Sequence, residues 1–153
     1  MSANYFSIDE LKDLQACEGK VLKKVVYHQW VNKIKPEESF EFLDKLELVF
    51  HEGRLVLSGT EDNDAIRTLP DFDIEDSRLR LLHEFGGRID MRSQEMTHNP
   101  LWMMAAGQTL ESIELVKEGD LYRNDCLMLN FGEEKLEVRL NVEGLLVEPF
   151  ELI

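Results

Sequence analysis

Apolar and polar positions alternate in Leu46-Glu47-Leu48-Val49-Phe50 and again in Lys135-Leu136-Glu137-Val138-Arg139-Leu140-Asn141-Val142. A two-residue period of this kind predicts strands with one buried face and one wet face, as antiparallel sheet allows. Strands are predicted over 21–30, 41–51 and 54–57, then over 109–116, 126–131 and 135–142. Glu52-Gly53 and Gly132-Glu133-Glu134 are the tight turns of two hairpins. A helical period precedes each set. Ile8, Leu11 and Leu14 fall three apart behind Ser7-Ile8-Asp9-Glu10, where a serine followed three residues later by an acid reads as a capping box. Asn99 and Pro100 suit the cap and first position of a second helix over 101–106. Gly107 would end that helix as Gly19 ends the first. The predicted fold class is α+β with antiparallel sheet.

The middle of the chain is ambiguous. Leu79-Arg80-Leu81-Leu82-His83-Glu84-Phe85 reads either as a helix stopped by Gly86-Gly87 or as a strand turning there into Arg88-Ile89-Asp90-Met91-Arg92. The alternation of Ile89 and Met91 with charges favours the hairpin.

Two parts of the chain resemble each other. Gly19-Lys20-Val21-Leu22-Lys23-Lys24-Val25 and Gly107-Gln108-Thr109-Leu110-Glu111-Ser112-Ile113 both read Gly-x-x-Leu-x-x-(Val/Ile), at an offset of 88. Leu46-Glu47-Leu48-Val49-Phe50 matches Leu127-Met128-Leu129-Asn130-Phe131 at an offset of 81. Arg54-Leu55-Val56-Leu57 matches Lys135-Leu136-Glu137-Val138, and Ile66 matches Val147, at that same offset of 81. Matches in one order predict a single domain over 1–153 built from two pseudo-repeats, about 7–74 and 99–152, joined by 75–98. Each would be a short helix followed by antiparallel strands. The change of offset gives the first copy about seven extra residues, within 30–38. A loop inserted into one copy alone is a place for a binding surface, or merely a longer hairpin.

Charge narrows the range of partners. The net charge is −14 and comes in blocks: neutral over 1–38, −8 over 39–76, +1 over 77–106 and −7 over 107–153. Such a chain disfavours nucleic acid, whose binding rests on Lys and Arg neutralising phosphates. It disfavours anionic membrane surfaces for the same reason. A basic protein would be attracted and steered, although high charge also serves solubility alone. The longest apolar runs are too short to span a bilayer. The first residues lack the basic and apolar regions of a secretory signal, which makes the cytoplasm the expected location. Cys17 and Cys126 lie in no CxxC pair, so two reduced, buried thiols are expected.

Asn99-Pro100-Leu101-Trp102 followed by Gly107-Gln108-Thr109-Leu110-Glu111-Ser112-Ile113-Glu114-Leu115 resembles uncharacterised bacterial proteins. Their copies read Pro-x-Trp, a short helix, Gly-x-x-Leu-x-x-Val and then acidic hairpins. Proteins of that kind are suspected of being immunity proteins against secreted toxins. The resemblance rests on packing motifs and implies a fold and a protein partner, with no catalytic residues to carry over.

Motifs for chemistry fail one by one. His28, His51, His83 and His98 form no HxH, HxxxH or HExxH pattern, and surface or turn positions are expected for them. Asp62, Asp64, Asp71, Asp73, Glu75 and Asp76 are dense but lack the ligand and glycine spacing of a calcium loop. They read as a solvated turn. Leu57-Ser58-Gly59-Thr60 is not a GxSxG elbow, and neither Walker A nor Rossmann glycines occur. Glu41, Glu47, Glu133, Glu137 and Glu143 are expected on outward faces or in turns. Trp102, on an apolar helix, is expected in the core. Trp30, ending a strand at the insertion, is the stronger contact candidate.

The expected function is therefore a non-enzymatic protein-binding module, of the immunity type, that inhibits a basic toxin. It would use no cofactor, metal or catalytic residue. Its expected contacts are Trp30, Lys33, Lys35, Glu47, Glu137 and Glu143. The alternatives are a small hydrolase-like enzyme using Asp/Glu and His in a cleft between the repeats, and a structural or oligomerisation protein.

Overall fold

A computed structural model describes residues 4–34, 43–60, 62–141 and 144–150. Helix α1 (Ile8–Gln15) precedes strands β1 (Leu22–Asn32), β2 (Leu43–Phe50), β3 (Arg54–Gly59) and β4 (Ile66–Thr68). Helix α2 (Ile74–Glu84) and strand β5 (Ile89–Glu95) follow. The remaining described elements are strands: β6 (Ser112–Glu114), β7 (Lys117–Glu118), β8 (Leu121–Tyr122), β9 (Cys126–Asn130), β10 (Lys135–Leu140) and β11 (Leu145–Pro149). The pairings among the described residues are antiparallel, as the alternation predicts, and the fold is α+β.

Two meanders share one pairing order, β1-β2-β3-β4 and β6-β9-β10-β11. Their registers correspond. Val25 faces Leu48 as Ile113 faces Leu129. Leu46 faces Leu57 as Leu127 faces Val138. Where the meanders meet, Val21 bridges Thr109. Gly19 N–H donates to the Leu110 carbonyl (2.7 Å), and Gly107 N–H donates to the Leu22 carbonyl (2.8 Å). Both glycines sit at φ +86°, a left-handed conformation that side chains resist. A second seam joins Leu43 of β2 to Leu145 of β11. Between the meanders lies the core, with Leu22, Val25, Leu46, Leu48, Leu57 and Ile66 from one side and Leu127, Leu129, Leu136 and Val138 from the other.

The elements form for local reasons. Ser7 Oγ accepts from Glu10 N–H while Glu10 reaches back to Ser7 N–H (3.0 Å), which makes the expected capping box. Glu10 also takes Arg67 (2.8 Å), and Asp13 takes the Thr68 hydroxyl (2.8 Å), which docks α1 on β4.

Three expectations change. Residues 78–92 are not a hairpin. Asp73 caps α2 by accepting from Asp76 N–H (3.0 Å), and Gly86-Gly87 closes it with Gly87 N–H on the Leu82 carbonyl (2.7 Å), a left-handed helix stop. Only the second half of that stretch is a strand, β5. Residues 101–106 are successive turns, not an α-helix. Their bonds mix three- and four-residue spacings, such as Trp102 and Met103 N–H both on the Asn99 carbonyl. Six residues form too few bonds to sustain a helix while Trp102 is drawn wholly into the core. The strand predicted over 109–116 keeps only 112–114, and β7–β8 form a small hairpin of their own.

Candidate functional site

Segment 69–85, with α2 in it, covers part of the sheet formed by β5, β1, β2 and β3. Two arrangements lie beneath it.

In the first, neighbouring strands bring Ser93, His28 and Glu47 into line. Ser93 on β5 and His28 on β1 are cross-strand partners. Ser93 Oγ lies 2.7 Å from His28 Nδ1, and His28 Nε2 lies 2.8 Å from Glu47 Oε1 on β2. The other oxygen of Glu47 accepts from Arg54 (3.1 Å), whose far nitrogen donates to the Phe72 carbonyl. The Phe72 ring stands 4.9 Å from the imidazole, centroid to centroid. His28 is only 3% exposed, whereas Ser93 is exposed. Burial pushes the His28 pKa below its ordinary value despite Glu47, so the ring is neutral at pH 7. Burial alone would raise the Glu47 carboxyl, but the bonds from His28 and Arg54 outweigh it and hold it below its ordinary value. An ionised carboxylate only accepts hydrogen bonds, so Nε2 carries the proton and Nδ1 offers its lone pair to the Ser93 hydroxyl. This arrangement can polarise Ser93 as a nucleophile.

The second is a cavity of about 760 Å³ between α2 and the sheet. Trp30, Met91 and Ile89 form its floor, and Leu81 and Phe85 form its roof. Trp30 and Phe85 meet edge to face at 5.5 Å. The polar lining is already paired in part: Lys45 with Asp44 (2.6 Å) and Arg80 with Asp76 (3.0 Å). Exposed carboxylates flank the lining residues. Asp62 and Asp64 stand either side of Asn63, Asp76 precedes Ser77, and Glu84 is itself in the wall. Arg78 fixes the roof to the sheet by gripping Asp90 of β5 through both oxygens (2.9 and 3.1 Å).

Of the residues expected at a contact surface, Trp30 lines this cavity, and Lys33 is exposed just after β1. Glu47 faces away from the core as expected but is not open to water. Its side chain is 15% exposed because His28 and Arg54 draw it in. Glu137 stands apart on β10, ion-paired with Arg139 (3.9 Å), with β11 between it and β2. Lys35, Glu41 and Glu143 lie outside the described residues. His51, His83 and His98 are exposed as expected, but His28 is a buried strand residue. Trp102 is core as expected, fully buried, with its indole N–H on the Tyr27 hydroxyl (2.7 Å). Cys17 is buried, and burial pushes its thiol up to about 11. Cys126 is half-buried, and both cysteines are unbridged. Ser93 escaped the sequence reading because no motif surrounds it.

Among the described residues no three His, Cys, Asp or Glu side chains gather to hold a metal ion, and no helix is long and apolar enough to cross a membrane. No known protein family, curated protein or solved structure matches the chain.

Proposed function

We propose that the chain is a protein-binding module of the immunity type, working in the cytoplasm. It captures a basic protein by seating an apolar side chain of that partner in the cavity beneath α2. The carrying observation is the cavity itself: an aromatic and aliphatic interior, with Trp30 and Phe85 in contact, beside a run of exposed carboxylates. Buried aromatic anchors supply most of the affinity at protein interfaces, and acidic surroundings speed encounter with a positive surface. Nucleic acid is a poor partner for a chain of net charge −14.

The scaffold is read as two diverged copies of one unit, a short turn or helix followed by a four-stranded meander. Equal strand order, corresponding registers and the reciprocal bonds of Gly19 and Gly107 support this reading. The chain between the copies then supplies α2 and β5, and with them the cavity.

The experiment is a titration of the protein with a short lysine-rich peptide carrying one phenylalanine, followed by tryptophan fluorescence. Saturable binding is expected, weakened by salt. It should be lost when glycine replaces the phenylalanine, and Trp30→Ala should act mainly by speeding dissociation. Equal binding of a glutamate-rich counterpart, or binding unchanged by both Trp30→Ala and Phe85→Ala, would show that the surface has been misplaced.

A further inference from the structure

Beyond partner binding, and independently of it, the line Ser93–His28–Glu47 has the order of a nucleophile, a base and an orienting carboxylate. We propose that Ser93 is a nucleophile activated by His28, able to take the acyl group of a small carboxylic ester presented at the open side of β5.

Four observations support this. Ser93 is exposed while its base is buried, so a substrate can reach the hydroxyl without displacing the imidazole. Both contacts of the ring are of hydrogen-bond length, 2.7 Å to Ser93 and 2.8 Å to Glu47. Glu47 is itself anchored by Arg54, and Arg54 by the Phe72 carbonyl, so the imidazole is held from behind as catalytic bases require. Among the described residues β5 pairs with β1 alone, so Ser93 stands on an edge strand. The two ring nitrogens exchange their usual duties here, since the carboxylate is on Nε2 and the hydroxyl on Nδ1. Either nitrogen serves as a base when the other carries the proton.

The step balances without a further reagent. Ser93 Oγ bonds to the ester carbonyl carbon, and its proton passes to His28 Nδ1. The carbon–oxygen bond to the alcohol breaks, and the departing alkoxide takes the proton from His28. The products are an acylated Ser93 and a free alcohol. Water attacking through the same base releases the acid and restores the hydroxyl.

The test uses the full chain and p-nitrophenyl acetate, reading nitrophenolate release, intact mass and the position of the adduct by peptide mapping. One acetyl group on Ser93 is expected, absent in Ser93→Ala and unchanged in Ser112→Ala. Acylation should slow about a hundredfold or more in His28→Gln, the scale of a lost general base, and measurably in Glu47→Gln. In the unaltered chain the rate should fall as pH drops through a value below the ordinary histidine pKa of about 6.5. Burial lowers this value first, Glu47 of β2 opposes it, and Lys45 of β2 and Arg54 of β3 add to it. Nitrophenolate release no faster than from Ser93→Ala, or release at one rate across that pH range, overturns the proposal. So does an equal rate in a folded His28→Gln or Glu47→Gln. Should His28→Gln fail to fold, Glu47→Gln and the pH profile decide.

Discussion

Trp102 ties the two meanders together, and its removal should be the most damaging single truncation in the core. The indole is fully buried, meets Tyr27 edge to face at 6.4 Å and donates to its hydroxyl at 2.7 Å. Trp102→Ala deletes the largest fully buried side chain, for which about 3–5 kcal/mol is expected. A domain of this size has about 5–15 kcal/mol in total, so the variant should sit near the edge of folding. Two milder variants separate packing from hydrogen bonding. Tyr27→Phe strands a buried N–H and should cost toward the upper end of about 1–3 kcal/mol. Trp102→Phe strands a hydroxyl on a half-buried tyrosine, which water reaches in part, so its hydrogen-bond share should fall at the lower end. The double variant removes both partners and should cost less than the two singles together, by about 1 kcal/mol. Urea titrations followed by circular dichroism measure all four, provided the slope against urea stays constant. A cost under about 1 kcal/mol for Trp102→Ala, or singles that add within about 0.5 kcal/mol, would refute the assignment of Trp102 as the link.

Asp90 should make stability depend on pH in the acid range. Burial would raise its carboxyl, but Arg78 and the Met91 N–H hold it below the ordinary value. Its contribution is therefore complete above the unfolded value of about 3.9 and is lost as pH falls through the lower folded value. Melting temperatures of wild type and Asp90→Asn should diverge above about pH 4 and converge below it, whereas a constant gap refutes the linkage. Gly19→Ala and Gly107→Ala should destabilise about equally, by about 1–2 kcal/mol each. Both residues have φ +86° with no atom near an added Cβ, so the cost is conformational. Chemical denaturation that finds one substitution neutral would contradict the correspondence of the two junctions.

What was legible followed from local signals that tertiary contacts did not override. The alternation in 46–50 and 135–140 marks strands because both faces of the sheet there meet different media, core on one side and water or paired charge on the other. The Ser7–Glu10 box marks α1 because its two bonds form within four residues. The second helix start was equally present, in Asp73 with Glu75 and Asp76 behind it. Read as part of a solvated acidic turn, that aspartate does not announce a helix, which leaves only the helical alternative for 79–85 with its Gly86-Gly87 stop to point to α2. Trp30 stands out in the sequence as the end of a strand beside an insertion; β1 in fact runs on to Asn32, and Trp30 stands within it in the cavity wall. The Ser93–His28–Glu47 line was not legible at all. Its members are 65 and 19 residues apart along the chain, and only the lateral order of β5, β1 and β2 makes them neighbours.

The placement of both arrangements has one physical cause. A meander whose outer face is open to water fills that face with charge, as Lys135, Glu137, Arg139, Glu114 and Glu148 do on β10 and its neighbours. The corresponding face of the first meander is covered by 69–85 and therefore carries residues that open water does not select. These are a buried histidine, a carboxylate drawn inward, and Trp30, which lies with Met91 of neighbouring β5 against a helix. Burying His28 is unfavourable unless both its nitrogens are satisfied, and the cover brings Phe72 over the ring while β5 brings Ser93 to its edge. The helix does not fill the space it encloses, since Arg78 anchors it to Asp90 at its middle while Leu81 and Phe85 span the remainder as a roof. Asymmetric cover thus produces a cavity and a shielded base where the described outer face of the second meander carries a ladder of ion pairs. The proposed binding cavity and the proposed nucleophile both lie on the covered first meander and its neighbour β5, so changes to the charged face of β10 should alter solubility before they alter binding.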